Sequence, residues 1–298
     1  MEWKQKFLER YEELTDIDSF IECSSRPLRK SIRVNTLKTG VKEIKSRFKD
    51  YNLKQVPWCK EGFWLKGEAI GNTLEHFLGY IYIQEAASMI PPLVLAPKED
   101  VILDMCASPG SKTTQMAALM KNKGLIIAND INILRLKPLS INLQRCGVLN
   151  TVMTKMEGRF FKDKFDKILV DAPCSGMGAI RKSPNTPLMW NPNTIKRMAG
   201  IQRQLLSTAF DILKENGTLV YSTCTLEPDE NEGVINFLLN KYENAKLEKI
   251  NLEIKRSPAI LEFEGNVYDD EVKKCLRIWP QDNDTEGFFV AKIVKIDL

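Results

Sequence analysis

Two cysteines and a carboxylate stand at turns where chemistry could be done. Asp171-Ala172-Pro173-Cys174 and Ser222-Thr223-Cys224 each close an apolar run. An ionised thiol is a strong nucleophile, a second thiol can serve as a base, and a carboxyl group can offset charge that develops on a substrate. The chain has a single histidine, His76, so a Ser-His-Asp triad, a Cys-His dyad or a multi-histidine metal site could draw on that residue alone. Seven cysteines, at 23, 59, 106, 146, 174, 224 and 275, form no CxxC pair. With no apolar N-terminal segment to mark secretion, they are expected to be free thiols in a reducing cytoplasm, and no metal site is expected. A lone cysteine at a strand end is ordinarily a small hydrophobe. Two at the same edge of one sheet are candidates for a site.

The elements that would place them are legible as periodicity. Residues 1–24 read as helical, with Phe7, Tyr11 and Leu14 at helical spacing. Residues 31–37 alternate like a strand, 41–49 form an amphipathic helix, and aromatic strand-like pieces follow around Trp58, Phe63 and Trp64. A proline-bounded joint lies near Pro91, Pro92 and Pro97, which divides the chain into a small α/β domain, 1–92, and a larger one, 93–298. From residue 98 strands and helices alternate. Strands are expected at 101–106, 125–130, 151–155, 167–173, 218–224 and 287–296, and helices at 111–121, 131–147, 193–215 and 229–242, with Pro138 a discord inside the second helix. Fully apolar strands separated by helices imply an α/β fold with a Rossmann-like, mostly parallel sheet buried on both faces, here with one antiparallel strand. Ligands in such sheets bind beyond the C-terminal ends of the strands.

The first of these strand ends carries Cys106, Ala107, Ser108, Pro109, Gly110, Ser111 and Lys112. A tight turn of small residues at a helix start lets backbone amides approach a ligand. It is neither a GxGxxG fingerprint nor a P-loop. The second strand ends at Asp130, about 20 residues on, where an acid commonly binds ribose hydroxyls, though it would equally cap the next helix. Together they suggest a nucleoside-containing cofactor and leave a nicotinamide cofactor and S-adenosylmethionine both open. Two thiols and an acid without histidine suit methylation at carbon 5 of cytosine. That carbon is a poor nucleophile until a thiolate adds to carbon 6, and a base must later remove its proton. A thiol near its ordinary pKa of about 8.5 is only a few per cent ionised at neutral pH, so such a site needs a helix N-terminus, a basic neighbour such as Lys112 or the cofactor's own charge.

At this point the chain resembles the Sun family of RNA cytosine-5 methyltransferases. The resemblance runs through RVNTLK (33–38), YIQEAAS (82–88), DMCASPGSKT (104–113), Asp130 with Arg135, DAPCSGMGAIRKSP (171–184), YSTCTLEPDENE (221–232) and RIWPQDNDTEGFF (277–289). It implies that Cys106 to Lys112, Asp130, Arg135 and Asp171 bind S-adenosylmethionine. It implies further that Asp171 faces the base, that Cys224 is the nucleophile and that Cys174 assists release of the product. The family's usual aspartate after the third strand is replaced by Lys155-Met156-Glu157, leaving Glu157 as the adenine-contact candidate, and its Pro-His is Pro280-Gln281 here. The small domain is expected to resemble an RNA-recognition motif without that motif's aromatic signature, and so to bind backbone and shape. Arg26, Arg29, Lys30, Arg33, Arg181 and Lys182 are the candidate phosphate contacts.

Lys and Arg total 43 against 39 Asp and Glu, a balance that permits a nucleic-acid partner without requiring one. RNA is the expected partner. Compact size without a C-terminal extension favours transfer RNA over ribosomal RNA, acting as a cytoplasmic monomer with no membrane. Two other classes stay open. A nucleotide-cofactor oxidoreductase would bind NAD in preference to S-adenosylhomocysteine, and an inactive RNA-binding module would transfer no methyl group.

Overall fold

The computed structural model describes residues 2–297. Helices α1 (Gln5–Glu12) and α2 (Ile17–Ser25) come first, the second capped by Asp16, which accepts from Ser19 N at 3.0 Å. Then β1 (Ser31–Val34), α3 (Val41–Arg47), β2 (Lys54–Gln55), β3 (Gly62–Trp64), α4 (Leu74–Phe77) and β4 (Ile81–Ile83) build an antiparallel sheet in the order β2-β3-β1-β4. This β-α-β-β-α-β connectivity is the one an RNA-recognition-motif-like domain requires.

The larger unit runs α5 (Ile90–Leu95), β5 (Val101–Asp104), α6 (Ser111–Leu119), β6 (Leu125–Asn129), α7 (Ile133–Cys146), β7 (Thr151–Thr154), β8 (Phe165–Asp171), α8 (Thr186–Met189), α9 (Pro192–Asp211), β9 (Leu213–Thr223), α10 (Glu232–Lys241) and β10 (Ala245–Glu248). A β11 (Glu262–Phe263) and β12 (Asn266–Val267) hairpin, β13 (Leu276–Ile278), α11 (Pro280–Asn283) and β14 (Phe288–Lys295) complete it. The sheet order is β10-β14-β9-β8-β5-β6-β7, with β13 also on β14. Strands β5 to β9 are parallel, and β14 runs against its three neighbours.

Alternation explains the apolar runs. Ile168, Val170, Leu219 and Tyr221 enter one core, and their neighbours Leu169 and Val220 enter another on the opposite face. Around the middle of β8 and β9 both faces are therefore dry, and the polar side chains of these two strands stand near their ends. The second core also takes Val56, Trp58 and Trp64 from the small domain, which thus lies on that face of the large sheet. Helices α1 and α2 do not join the small sheet. Phe7, Tyr11 and Phe20 pack with Ile180, Trp190 and Trp279 of the larger unit.

One expected element differs. The helix read as 193–215 ends at Asp211, and β9 already begins at Leu213, so Asn216-Gly217 lies inside a strand. Asn216 takes a positive φ of 60° there, and the bulge shifts the register against β8 between Phe165 and Lys167. Turn residues that stop a helix also serve a strand irregularity, and tertiary pairing decides between them. Pro138 is accommodated within α7.

Candidate active site

Parity along the strands brings the acid and one cysteine to one face. Asp171 pairs with Ser222 across β8 and β9, and each follows a residue of the second core by two positions, as does Cys224 after Ser222. All three therefore face the small domain at the C-terminal edge. Asp171 Oδ1 accepts from Ser222 Oγ at 2.8 Å, and its Oδ2 meets Lys112 Nζ at 2.6 Å. Lys112 also donates to Ser88 Oγ at 3.1 Å and lies 5.6 Å from the ring centre of Phe288.

The turns after β8 and β9 meet. Cys174 Sγ and Cys224 Sγ are 3.3 Å apart. Gly178 locks them together: its N–H donates to the Cys224 carbonyl at 2.9 Å, and its own carbonyl accepts from Gly287 N at 2.9 Å. A Cβ there would stand 2.3 Å from the Gly287 oxygen and 2.7 Å from that of Cys224, so only glycine fits. The hydrogen bond to Cys224, burial and the charge on Cys224 push the Cys174 thiol well above its ordinary value. Cys106 is pushed well up by burial and by Asp104, Asp171 and Asp130, so it stays an unreactive thiol.

A cavity of about 350 Å³ joins Cys224 and Asp171 to the turn at 106–112, and Cys174 stands behind Cys224 without lining it. Its walls include Cys106, Ala107, Ser108, Pro109, Ser111 and Lys112 from the turn, Asp104, Asp171 and Cys224 from the strand ends, and Tyr82, Gln84 and Glu85 from the small domain. Gly110 makes the turn with φ +100° and precedes α6, whose first amides point out of the helix. The donor set fits a nucleoside-bearing amino acid. Asp104 Oδ1 and Asp130 Oδ2 are buried without hydrogen-bond partners, ready to accept from an ammonium group and from hydroxyls. Burial raises Asp104 to about 7, although Thr113 Oγ1 donates to it at 2.7 Å. Asp130 Oδ1 accepts from Asn132 N at 3.0 Å, while Asn132 itself caps α7, so the capping role belongs to Asn132. Arg135 lies 3.5 Å from Asp130 Oδ2 and exchanges hydrogen bonds with Ser108, donating to its carbonyl at 2.9 Å and accepting its hydroxyl at 2.8 Å. Glu157 pairs with Arg159 at 2.7 Å and does not line the cavity. His76 lies outside it, its Nδ1 3.0 Å from the Gly71 carbonyl.

Two expected phosphate contacts are corrected. Arg33 is buried and donates to Gln84 Oε1 at 2.8 Å and to Thr114 Oγ1 at 2.9 Å, joining β1 to α6. Arg181 is buried against the carbonyls of Pro27 (2.8 Å) and Thr285 (3.2 Å) and pairs with Asp284 at 2.6 Å. Each guanidinium is consumed by the protein. Arg29 is half-buried, 3.8 Å from the Trp64 ring centre and 2.8 Å from Asp284. Arg26, Lys30 and Lys182 remain exposed, with Lys182 on the cavity rim.

Several site groups carried no readable signal. Glu230, wholly buried, accepts from Ser175 N at 3.0 Å and Gln202 Nε2 at 2.8 Å behind the cysteines. Glu85 and Glu286 meet at the cavity, Glu85 Oε1 accepting from Glu286 N at 3.3 Å, and burial together with Glu286 raises Glu85 to about 7. Ser222 could have been found, because it stands two residues before Cys224 and must share its face.

Residues 92–294 match the family described as 16S rRNA methyltransferase RsmB/F, and residues 4–86 match the N-terminal domain of 16S rRNA methyltransferase RsmF. A tRNA (cytosine(49)-C(5))-methyltransferase of Pyrococcus abyssi is 48% identical over 299 residues, covering 98% of this chain and 96% of the relative. Ribosomal RNA small subunit methyltransferase F of Vibrio cholerae is 45% identical over 296 residues, but this chain spans only 61% of its length. A crystal structure of a methyltransferase homolog protein from Pyrococcus horikoshii superposes with a TM-score of 0.85 at 36% identity, covering 98% of this chain and 100% of the other. That of NSun6 from Pyrococcus horikoshii with SFG gives 0.88 at 26% identity over 99% of each chain.

Proposed function

The chain belongs to the RsmB/F methyltransferase family, and we propose that it transfers a methyl group from S-adenosylmethionine to carbon 5 of a cytosine in RNA, transfer RNA being the favoured substrate. The observation that carries this reading is the 3.3 Å approach of two thiols, one of which, Cys224, lines a cavity with Asp171, Lys112 and the 106–112 turn. The choice of transfer RNA draws on the Pyrococcus abyssi relative, which this chain covers nearly end to end, whereas it spans about three fifths of the ribosomal enzymes it matches. The cofactor reading draws on the oxygens of Asp104 and Asp130 that carry no hydrogen bond and on the SFG-bound neighbour.

When bound, S-adenosylmethionine supplies an electrophilic methyl group to carbon 5. Cys224 Sγ adds to carbon 6, and the pair of the carbon 5–carbon 6 double bond becomes available at carbon 5. Asp171, held by Lys112 and Ser222, offers a fixed carboxyl group to the polar edge of the ring. With Cys224 bonded to carbon 6, Cys174 Sγ, 3.3 Å from Cys224 Sγ in the free site, is the second thiol within reach of the base. Cys174 then ionises, its proton passing to water, and its thiolate takes the carbon-5 proton. The double bond re-forms, the carbon 6–sulfur bond breaks, and Cys224 leaves as a thiolate.

Tritium transfer from labelled S-adenosylmethionine to unmodified transfer-RNA transcripts tests the reading. Cys224→Ala should lose roughly 10³-fold or more of the wild-type rate. Cys174→Ala should accumulate a covalent protein–RNA band on a denaturing gel. The reverse pattern would exchange the two roles, and no transfer to any RNA pool would end the enzyme reading.

A further inference from the structure

Glu230 is a buried carboxyl group that the chemistry above does not use. Among the described residues no basic side chain hydrogen-bonds it, and burial raises it to about 7. A carboxyl group without a cation costs folding stability, so its surroundings need another reason.

Those surroundings are the two cysteine turns. Glu230 Oε2 accepts from the Ser175 amide at 3.0 Å, on the C-terminal side of Cys174. Gln202 of α9 donates to the same Oε2 at 2.8 Å and to the Pro173 carbonyl at 2.9 Å, on the N-terminal side of Cys174. The peptide groups flanking Cys174 are thus held from one point. Toward Cys224, Thr225 Oγ1 lies 3.4 Å from Glu230 Oε1 and 2.8 Å from Ser175 Oγ. The Glu230 carbonyl accepts from Tyr221 in β9 at 2.6 Å, anchoring the residue to the strand that carries Cys224.

We propose that Glu230 is a positioning residue for product release: with Gln202 it clamps the turn of Cys174 to the turn of Cys224, so that Cys174 Sγ stays within reach of the carbon-5 proton while Cys224 is bonded to carbon 6. The proposal rests on the methyltransferase reading. Glu230 touches neither base nor cofactor. Cys224 directly follows the last residue of β9 and is placed by the sheet, so adduct formation does not depend on the clamp. Cys174 sits in a turn with no ladder of its own, so elimination does.

The test uses the full chain, S-adenosylmethionine and unmodified transfer-RNA transcripts, with wild type and Cys174→Ala as references. Glu230→Ala should form the covalent RNA adduct at close to the wild-type rate, turn over about 10²-fold more slowly, and accumulate the adduct as Cys174→Ala does. Glu230→Gln and Gln202→Ala, milder changes to the same clamp, should give the same signature with a smaller loss, and both keep the proposal testable if Glu230→Ala fails to fold. A residue that only supports the fold would lower adduct formation and turnover together, and that result in a folded variant overturns the proposal. Unchanged turnover overturns it as well. Failure of wild type to methylate any transcript strikes instead at the reading on which the proposal rests.

Discussion

The cysteine turns and the basic segment 26–33 are both conspicuous in sequence, and folding treats them in opposite ways. Cys174 and Cys224 lie 50 positions apart and come within 3.3 Å. Arg26, Arg29, Lys30 and Arg33 lie within eight residues, yet Arg33 goes inside, Arg29 lies on Trp64, and only Arg26 and Lys30 stay exposed. A residue just past a parallel strand is placed by the sheet, whose ladder fixes its height and face. A charged residue inside a strand has its face fixed but not its environment. Ile32 and Val34 fill the small domain's core as alternation requires, and Arg33 points the other way. That second side is covered by α6, a contact between sequence-distant elements that periodicity does not contain.

The largest effect that would sharpen this contrast is pH dependence at a strand end. Asp104 is pushed up to about 7 by burial, against an ordinary aspartate near 3.9 in the unfolded chain. Between those values the folded state holds a proton that the unfolded state has lost. Its stabilising contribution is complete below pH ~4 and disappears as pH rises through ~7, by up to about 4 kcal/mol. Urea unfolding of Asp104→Asn without cofactor should therefore show a flatter pH profile than wild type over pH 4 to 8. Parallel profiles would mean that Asp104 is not desolvated and that the strand ends are wetter than the burial implies.

The same reasoning says which parts of the site were legible. The runs at 101–106, 125–130, 167–173 and 218–224 announce themselves as apolar strands, so the positions of Cys106, Asp130, Asp171 and Cys224 followed from where the runs stop. Helix α9 was overrun because Asn216-Gly217 suits a helix stop and a strand bulge alike. β10 alternates buried and exposed residues over only four positions, and β13 has three, too short for periodicity to register. Glu230 was invisible for a different reason. Asp229-Glu230-Asn231-Glu232 reads as the charged start of a helix, and only packing against α9 and the turn of Cys174 makes it interior.

Arg33 offers the next largest effect and the most direct way to break the comparison. Arg33→Ala leaves Gln84 Oε1 and Thr114 Oγ1 without their partner in a buried interface, at a cost of roughly 3 kcal/mol in unfolding free energy. Arg26→Ala, on an exposed side chain, should stay within about 0.5 kcal/mol. If Arg33→Ala instead leaves stability intact and weakens RNA binding, the segment is one continuous RNA surface and the contrast drawn here is wrong.

The smallest effect concerns the charges left outside. Lys30 and Lys182 are exposed, and Lys182 stands on the rim of the cavity that holds Cys224. A lysine that neutralises one phosphate releases its counterions on binding, so the dependence of log affinity on log salt should fall by about one unit when it is removed. Fluorescence anisotropy with a transfer-RNA transcript over a potassium chloride series would measure this for Lys30→Ala and Lys182→Ala. Arg181 lies one position before Lys182, but its guanidinium is already spent on Asp284 and the carbonyls of Pro27 and Thr285. Arg181→Ala should therefore weaken the fold and leave the salt slope of any folded protein unchanged. Adjacent residues of like charge would then report opposite quantities, one stability and the other salt. Equal slopes for the two variants would show instead that the rim reads RNA through Arg181 as well, and that its buried contacts open when RNA binds.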